Sequence, residues 1–337
     1  GAISITNNNF GGITATGAGT ISLRPISFQT SGIVASTQYT VTGNTIGGTV
    51  ANSIQNSTNA STLGIAGLAS QTTSTNTIAN NVVRNMTTTG TSTSNTMIGI
   101  LSQGSTGGIY TTTGNTVSNL TSSSTSTGTG ASAAVIGIQA NAATTAGQTI
   151  SQNTVFALSN TDAATAVGVT GINFSGPTTG TNVVSRNLVY NISAASTSAT
   201  ADVRGINFSS GIANVQNNMV RIGTNIATGV TVTGLYEVAS TANSGIYFNS
   251  VYVGGTGVST ETGNSYAFRS DQVTNVRTFQ NNIFVNARSN ASTGGKHYAV
   301  RVAGTAPNPA GLTLNYNDYQ ATGTGAMFGF FNSLDVA

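Results

Sequence analysis

The sequence predicts an all-β solenoid: a right-handed parallel β-helix of about ten coils, three short strands per coil, with Asn at the turns. Three observations predict it. An Asn-centred motif recurs ten times along 337 residues, a Gly-centred motif recurs in step with it, and β-branched residues hold fixed places in both. Self-similarity at a constant period signals a repeat architecture rather than a globular core.

The first motif reads apolar, two residues, Asn, one residue, apolar. It appears as Val41–Asn44–Ile46, Ile78–Asn81–Val83, Ile150–Asn153–Val155, Val184–Asn187–Val189 and Val215–Asn218–Val220. It continues as Ile246–Asn249–Val251, Phe279–Asn282–Phe284 and Leu314–Asn317–Tyr319. Asn115 fits with Thr112 in the first slot, and Asn9 opens a degraded copy; copies are 31 to 38 residues apart. Inward residues of one straight strand are an even number apart. These apolar positions are five apart, so the chain bends between them. Asn suits the bend because it tolerates the left-handed backbone that tight turns require. Each coil therefore begins with a strand, a sharp turn at Asn and a second strand.

A long Thr/Ser/Gly loop follows, and then a third strand opened by Gly. The markers are Gly64–Ile65, Gly99–Ile100, Gly137–Ile138, Gly171–Ile172, Gly205–Ile206 and Gly234–Leu235, weakening to Ala267–Phe268 and Ala299–Val300. Copies run in one direction, so the sheets are parallel, and parallel crossovers are right-handed in nearly all cases. Nine steps of ~4.8 Å give a rod of roughly 43 Å. Stacked turn asparagines would form a ladder of Asn44, Asn81, Asn115, Asn153, Asn187, Asn218, Asn249, Asn282 and Asn317, because each amide both donates and accepts. Helical repeats of similar length need a 3.6-residue periodicity that is missing here. Fixed apolar positions argue against the disorder that a Ser/Thr/Gly-rich composition otherwise suggests.

The Asn-x-[Val/Ile]-x-Asn copies, such as Asn81-Val82-Val83-Arg84-Asn85 and Asn187-Leu188-Val189-Tyr190-Asn191, resemble the right-handed parallel β-helix family, the pectate-lyase-like fold. With the long Thr/Ser/Gly loops and the tail Asn315-Tyr316-Asn317-Asp318-Tyr319, the chain looks like β-helical regions of large secreted or surface proteins of Bacteroidota-like bacteria. The resemblance implies one solenoid over residues 1–337, with irregular terminal coils at 1–43 and 315–337. It implies a segment of a longer extracellular or cell-surface protein, beside other modules and a C-terminal sorting signal that is not found in this sequence.

Composition narrows the function. Charged residues make up 5% of the chain, against roughly 25% in an ordinary soluble domain. Nucleic-acid binding needs clustered Lys and Arg, and here one lysine accompanies scattered arginines. No apolar run reaches the ~20 residues of a membrane-spanning helix. Cysteine is absent, so neither disulfides nor Cys-based metal sites are expected. No metal or other cofactor is expected.

Polysaccharide hydrolases of the resembling fold use close carboxylates as acid and base, and lyases use acidic Ca²⁺ ligands with a basic residue. The seven acids, Asp162, Asp202, Glu237, Glu261, Asp271, Asp318 and Asp335, fall on different coils. Asp202, Glu237 and Asp271 alone, about one coil apart, have a route to convergence. The stretch from Glu261 to Arg301, with Arg269, Asp271, Arg277, Arg288, Lys296 and the lone His297, reads as a solvated or salt-bridged end of the rod. An anionic-glycan patch is its sharper reading. The third residue after each motif Asn should point outward. In four consecutive coils that place holds Phe156, Tyr190, Arg221 and Tyr252, an aromatic and cationic stripe that exposes ring surface unless a loop folds over it. The expected function is a non-catalytic structural or adhesive solenoid, secreted or at the cell surface. The alternatives are a glycan-binding module using the stripe, a self-assembling filament joined end to end, and a polysaccharide lyase or hydrolase. Partners would be polysaccharide or other surface proteins. Ice binding is disfavoured because coil length varies too much for a flat lattice.

Overall fold

A computed structural model describes residues 2–17, 19–30, 38–69, 75–104, 107–142, 145–238, 244–258, 263–273, 275–304, 310–331 and 334–336. Its strands wind into a right-handed solenoid with three parallel sheets. The first sheet stacks ten strands, from Ala2–Thr6 to Leu312–Asn315. The second runs from Asn9–Phe10 to Asp318–Ala321, and the third from Ile26–Thr30 to Ala326–Phe331. Eight coils are regular, each with one unbroken strand per sheet. In the first two the second-sheet strand is split, as Thr45–Ile46 and Ile54–Asn56 in the second coil. The final strand, Leu334–Val336, runs antiparallel to Ala326–Phe331.

Three inward columns make the core. They are typified by Ile150, Val184 and Val215 in the first sheet, Val155, Val189 and Val220 in the second, and Ile138, Ile172 and Ile206 in the third, all fully buried. β-branched residues suit these pleated, enclosed positions.

The asparagine ladder is continuous. Each backbone N–H and each Nδ2 donates to the Oδ1 of the next coil's Asn at 2.8–3.0 Å, through all nine predicted members. Nδ2 also donates back to a carbonyl of the coil before, as Asn187 does to Ile150. The first member is Asn8, bonded to Asn44, and not Asn9, which sits exposed in a strand. The left-handed turn residue is also not the ladder Asn but the residue before it: Asn7, Gly43, Asn80, Gly114, Gln152, Arg186, Asn217, Phe248, Asn281 and Tyr316. The ladder Asn needs its amide inside the turn, so the reversal falls one residue earlier, on a side chain that faces solvent.

The Gly markers likewise lie inside the third-sheet strands, Gly99 being the third residue of Met97–Gly104. A Cβ on Gly171 would stand 2.5 Å from both the Gly205 carbonyl oxygen and Val189 Cγ1. That close approach is what selects Gly.

Loops cover part of the outside. A short 3-10 turn at Gly130–Ser132 leads into Ala133, which joins Leu63, Ala66, Ile98, Leu101 and Ile136 in a small apolar cluster outside the main core. No helix among the described residues is long and apolar enough to cross a membrane.

Candidate functional site: the outer face of the second sheet

The second-sheet strands present alternate residues outward because the preceding ladder turn sets their phase. With Val155, Val189, Val220 and Val251 buried, the outward places fall to Phe156, Tyr190, Arg221 and Tyr252, which pair in register on successive coils. The Phe156 and Tyr190 rings stack at 4.9 Å with 4° between their planes. Their faces are turned along the rod axis. Arg221 follows and then Tyr252, both exposed, Tyr252 by 38%.

A second outward column, two residues upstream, holds Leu188, Met219, Ser250 and Ile283. Met219 is 60% exposed and Ile283 47%. Between the columns runs an open groove of about 420 Å³, floored by Val220 and Val251 and walled by Tyr190, Arg221 and Tyr252 on one side and Met219 and Ile283 on the other. Of the stripe, Arg221 and Tyr252 are exposed, Tyr190 is half-buried at the groove wall, and Phe156 is half-buried outside its lining. No carboxylate lines it, and among the described residues Arg221 has no ion pair. A shallower polar groove lies beside it, lined by Asn119, Thr121, Ser159, Asn191 and Ser193 around Ala157.

The acids stand elsewhere. Asp202 pairs with Arg204 at 2.5 Å on the outer face of the third sheet. Glu237 points inside the solenoid, where it is fully buried and accepts from Ser244 and Ser270. Burial pushes its carboxyl pKa up. Asp271 faces outward and accepts from Tyr236, Arg269 and Arg301. Burial alone would raise Asp271, but the bonds from Arg269 and Tyr236 and the nearby guanidinium charges hold it below the usual carboxylate range. Asp202 opens its strand, aligned with Thr231, whereas Glu237 ends the neighbouring strand, aligned with Phe208. These three acids therefore share no groove. Asp162 accepts from Thr165, and Asp335 from Lys296 and Tyr298. Asp318 is exposed at the end of the second sheet, and Glu261 lies outside the described residues. Among the described residues no group of three His, Asp or Glu side chains is placed to hold a metal ion.

The charged stretch divides between surface and interior. Arg269 and Arg301 flank Asp271 on the surface, and Lys296 meets Asp335. Arg277, Arg288 and His297 are fully buried. Arg288 donates to the carbonyls of Gly223, Ile226, Gly254 and Thr228, tying together loops of three successive coils. His297 Nε2 meets Asn290 Oδ1 and Nδ1 meets the Ser265 hydroxyl, each at 2.9 Å. The amide oxygen can only accept, so Nε2 carries a proton. Burial, reinforced by the Arg288 charge, lowers its pKa to about 4. The sequence reading missed one surface feature. Arg204 and Arg269 lie over the Tyr236 ring at 4.5 Å, Arg269 and Arg301 over Tyr266, and Arg301 over Phe330. The signal was available: Tyr236, Arg269 and Arg301 each stand two residues after the Gly or Ala marker.

The second-sheet groove thus offers apolar and aromatic surface with a guanidinium in no ion pair among the described residues, whereas the third-sheet arginines are paired with Asp202 and Asp271 and stacked on neighbouring rings. No family model matches the chain, and no curated protein or solved structure matches it either.

Proposed function

We propose that this chain is a non-catalytic β-solenoid of a secreted or cell-surface protein that holds carbohydrate against the outer face of its second sheet. The observation that carries this reading is the open groove beside Tyr190, Arg221 and Tyr252. Exposed apolar patches on otherwise polar proteins commonly mark binding sites. Aromatic side chains combine ring faces for stacking with a polar handle for hydroxyls. The acids that a hydrolase would need are engaged in internal contacts at Asp202, Glu237 and Asp271. The pinned acids support a binding role over a chemical one.

Affinity electrophoresis through gels carrying neutral and acidic polysaccharides tests the proposal. Retardation by at least one polymer is expected, and it should vanish in the Tyr190→Ala/Tyr252→Ala variant. If no polymer retards the wild-type chain, the proposal fails. A purely structural rod, spacing other modules through its stiff ladder, would then take its place.

A further inference from the structure

The turn column that precedes the groove places two bulky rings in a backbone that the ladder turn imposes on every coil. All ten residues before the ladder asparagines take a left-handed backbone, φ 54° to 66°. Six of them are Asn or Gly, which adopt it at little cost. Phe248 and Tyr316 adopt it too, at φ 55°, where a bulky residue is a genuine outlier. Neither is compensated by burial, since Phe248 is 56% exposed and Tyr316 77%. The turn imposes the same backbone on Gln152 and Arg186, so what the fold does not require is the choice of two exposed rings there, and exposed apolar surface of this kind points to a contact outside the chain.

Their positions tie them to the groove. Phe248 lies two residues before Ser250, and Tyr316 two before Asp318, the next coil's neighbour of Ile283. Asn281 stands between them on the intervening coil, giving a ring, a polar group and a ring. Tyr190, Arg221 and Tyr252 repeat that alternation in the outward column. Rings two coils apart therefore occur in both columns, the half-buried Tyr190 with the exposed Tyr252 and the exposed Phe248 with Tyr316, while Phe156 stacks on Tyr190 from the coil before. Two coil steps are ~9.6 Å.

We infer that Phe248 and Tyr316 are further binding residues of the groove, and that the two-coil ring spacing selects extended linear glycans of the β-1,4-linked type. The inference rests on the carbohydrate reading proposed above. A glycan presents apolar ring faces and hydroxyl edges in turn, which matches the alternation of rings with Asn281 and Arg221. An acyl chain would leave those polar groups facing hydrocarbon. The spacing is comparable to the disaccharide repeat of an extended β-1,4-linked chain. A coiled α-1,4-linked chain does not keep that repeat straight along the rod.

The test compares retardation of the whole chain in gels of hydroxyethyl cellulose, xylan or soluble starch, for wild type, Phe248→Asn/Tyr316→Asn and Tyr190→Ala/Tyr252→Ala. The expected result is retardation by an extended polymer and not by starch. The Phe248→Asn/Tyr316→Asn variant should bind at least threefold more weakly, with an equal or higher melting temperature because the strain is relieved. Weaker binding with a lower melting temperature would assign the two rings to packing and overturn the inference. Full retardation of that variant, alongside loss in Tyr190→Ala/Tyr252→Ala, would overturn it while leaving the carbohydrate reading intact. So would retardation by starch equal to that by the extended polymers. Absence of retardation across these gels and the acidic panel would overturn both.

Discussion

Asn187 is bonded on every side. It accepts from the backbone and amide of Asn153, and it donates to Asn218 and to the Ile150 carbonyl. Asn187→Ala leaves these groups buried and unpaired, at a cost of about 1–3 kcal/mol. Thermal melts of variant and wild type should separate clearly, and coincident melts would refute the ladder's energetic role. His297 adds a pH dependence of defined sign. The unfolded imidazole protonates near 6.5 and the folded one only near 4. Its contribution is therefore complete above 6.5 and is lost as pH falls through that window, levelling below about 4. Subtracting the stability profile of His297→Gln from that of wild type should give a slope confined to that interval; a flat difference would mean that His297 is not held neutral. The ladder positions were legible because an amide is the group that bonds equally to coils above and below. The left-handed residue was not, because it faces solvent and any side chain can occupy it at a cost, as Arg186, Phe248 and Tyr316 do.

At the level of the strand, the third sheet depends on how closely it approaches the second. Gly171→Ala places a methyl group 2.5 Å from the Gly205 carbonyl oxygen and Val189 Cγ1, and neither neighbour is a flexible chain end. Overpacking of this kind costs about 1–3 kcal/mol. Chemical denaturation should show a clearly lowered midpoint for Gly171→Ala, and an unchanged midpoint would show that the sheets can part locally. The eighth and ninth coils carry Ala267 and Ala299 at the equivalent places, so the constraint varies along the rod. The strand alternation that turns Tyr190 and Tyr252 outward was legible from the phase of the Asn motif. Whether loops lay over them was not, because loop paths leave no periodic signal. The same limit hid the Gly130–Ser132 turn beside the small apolar cluster on part of the third sheet's outer face. The placement of Asp202 and Glu237 was also beyond spacing alone. They occupy opposite ends of adjacent strands, and that separation is set by register rather than by sequence distance.

Across the whole molecule, most contacts join adjacent coils, so stability is close to a chain of nearest-neighbour terms, with Arg288 reaching Gly223, Ile226 and Thr228 two coils away as an exception. Hydrogen exchange of Asn187→Ala should lose protection mainly in the coils around residues 150–220, with distant coils retaining theirs. Uniform loss from end to end would instead make the rod a single cooperative unit. The count of about ten coils followed from the Asn spacing and holds for the first sheet. The reduction to eight regular coils did not follow from it, because the split strands near Thr45–Ile46 and Ile54–Asn56 keep the Asn motif while breaking the one after it.

Each ladder amide donates one Nδ2 hydrogen to the next Oδ1, in the sense from Asn8 towards Asn317, while from Asn44 on Nδ2 also turns back to a backbone carbonyl. Aligned hydrogen bonds polarise one another, so the column forms a dipolar wire through a chain with very little formal charge. Its electrically negative pole lies at the Asn8 carbonyl and its positive pole at the Asn317 amide. The rod therefore has an arrow, and a surrounding field can orient it along one axis and in one direction.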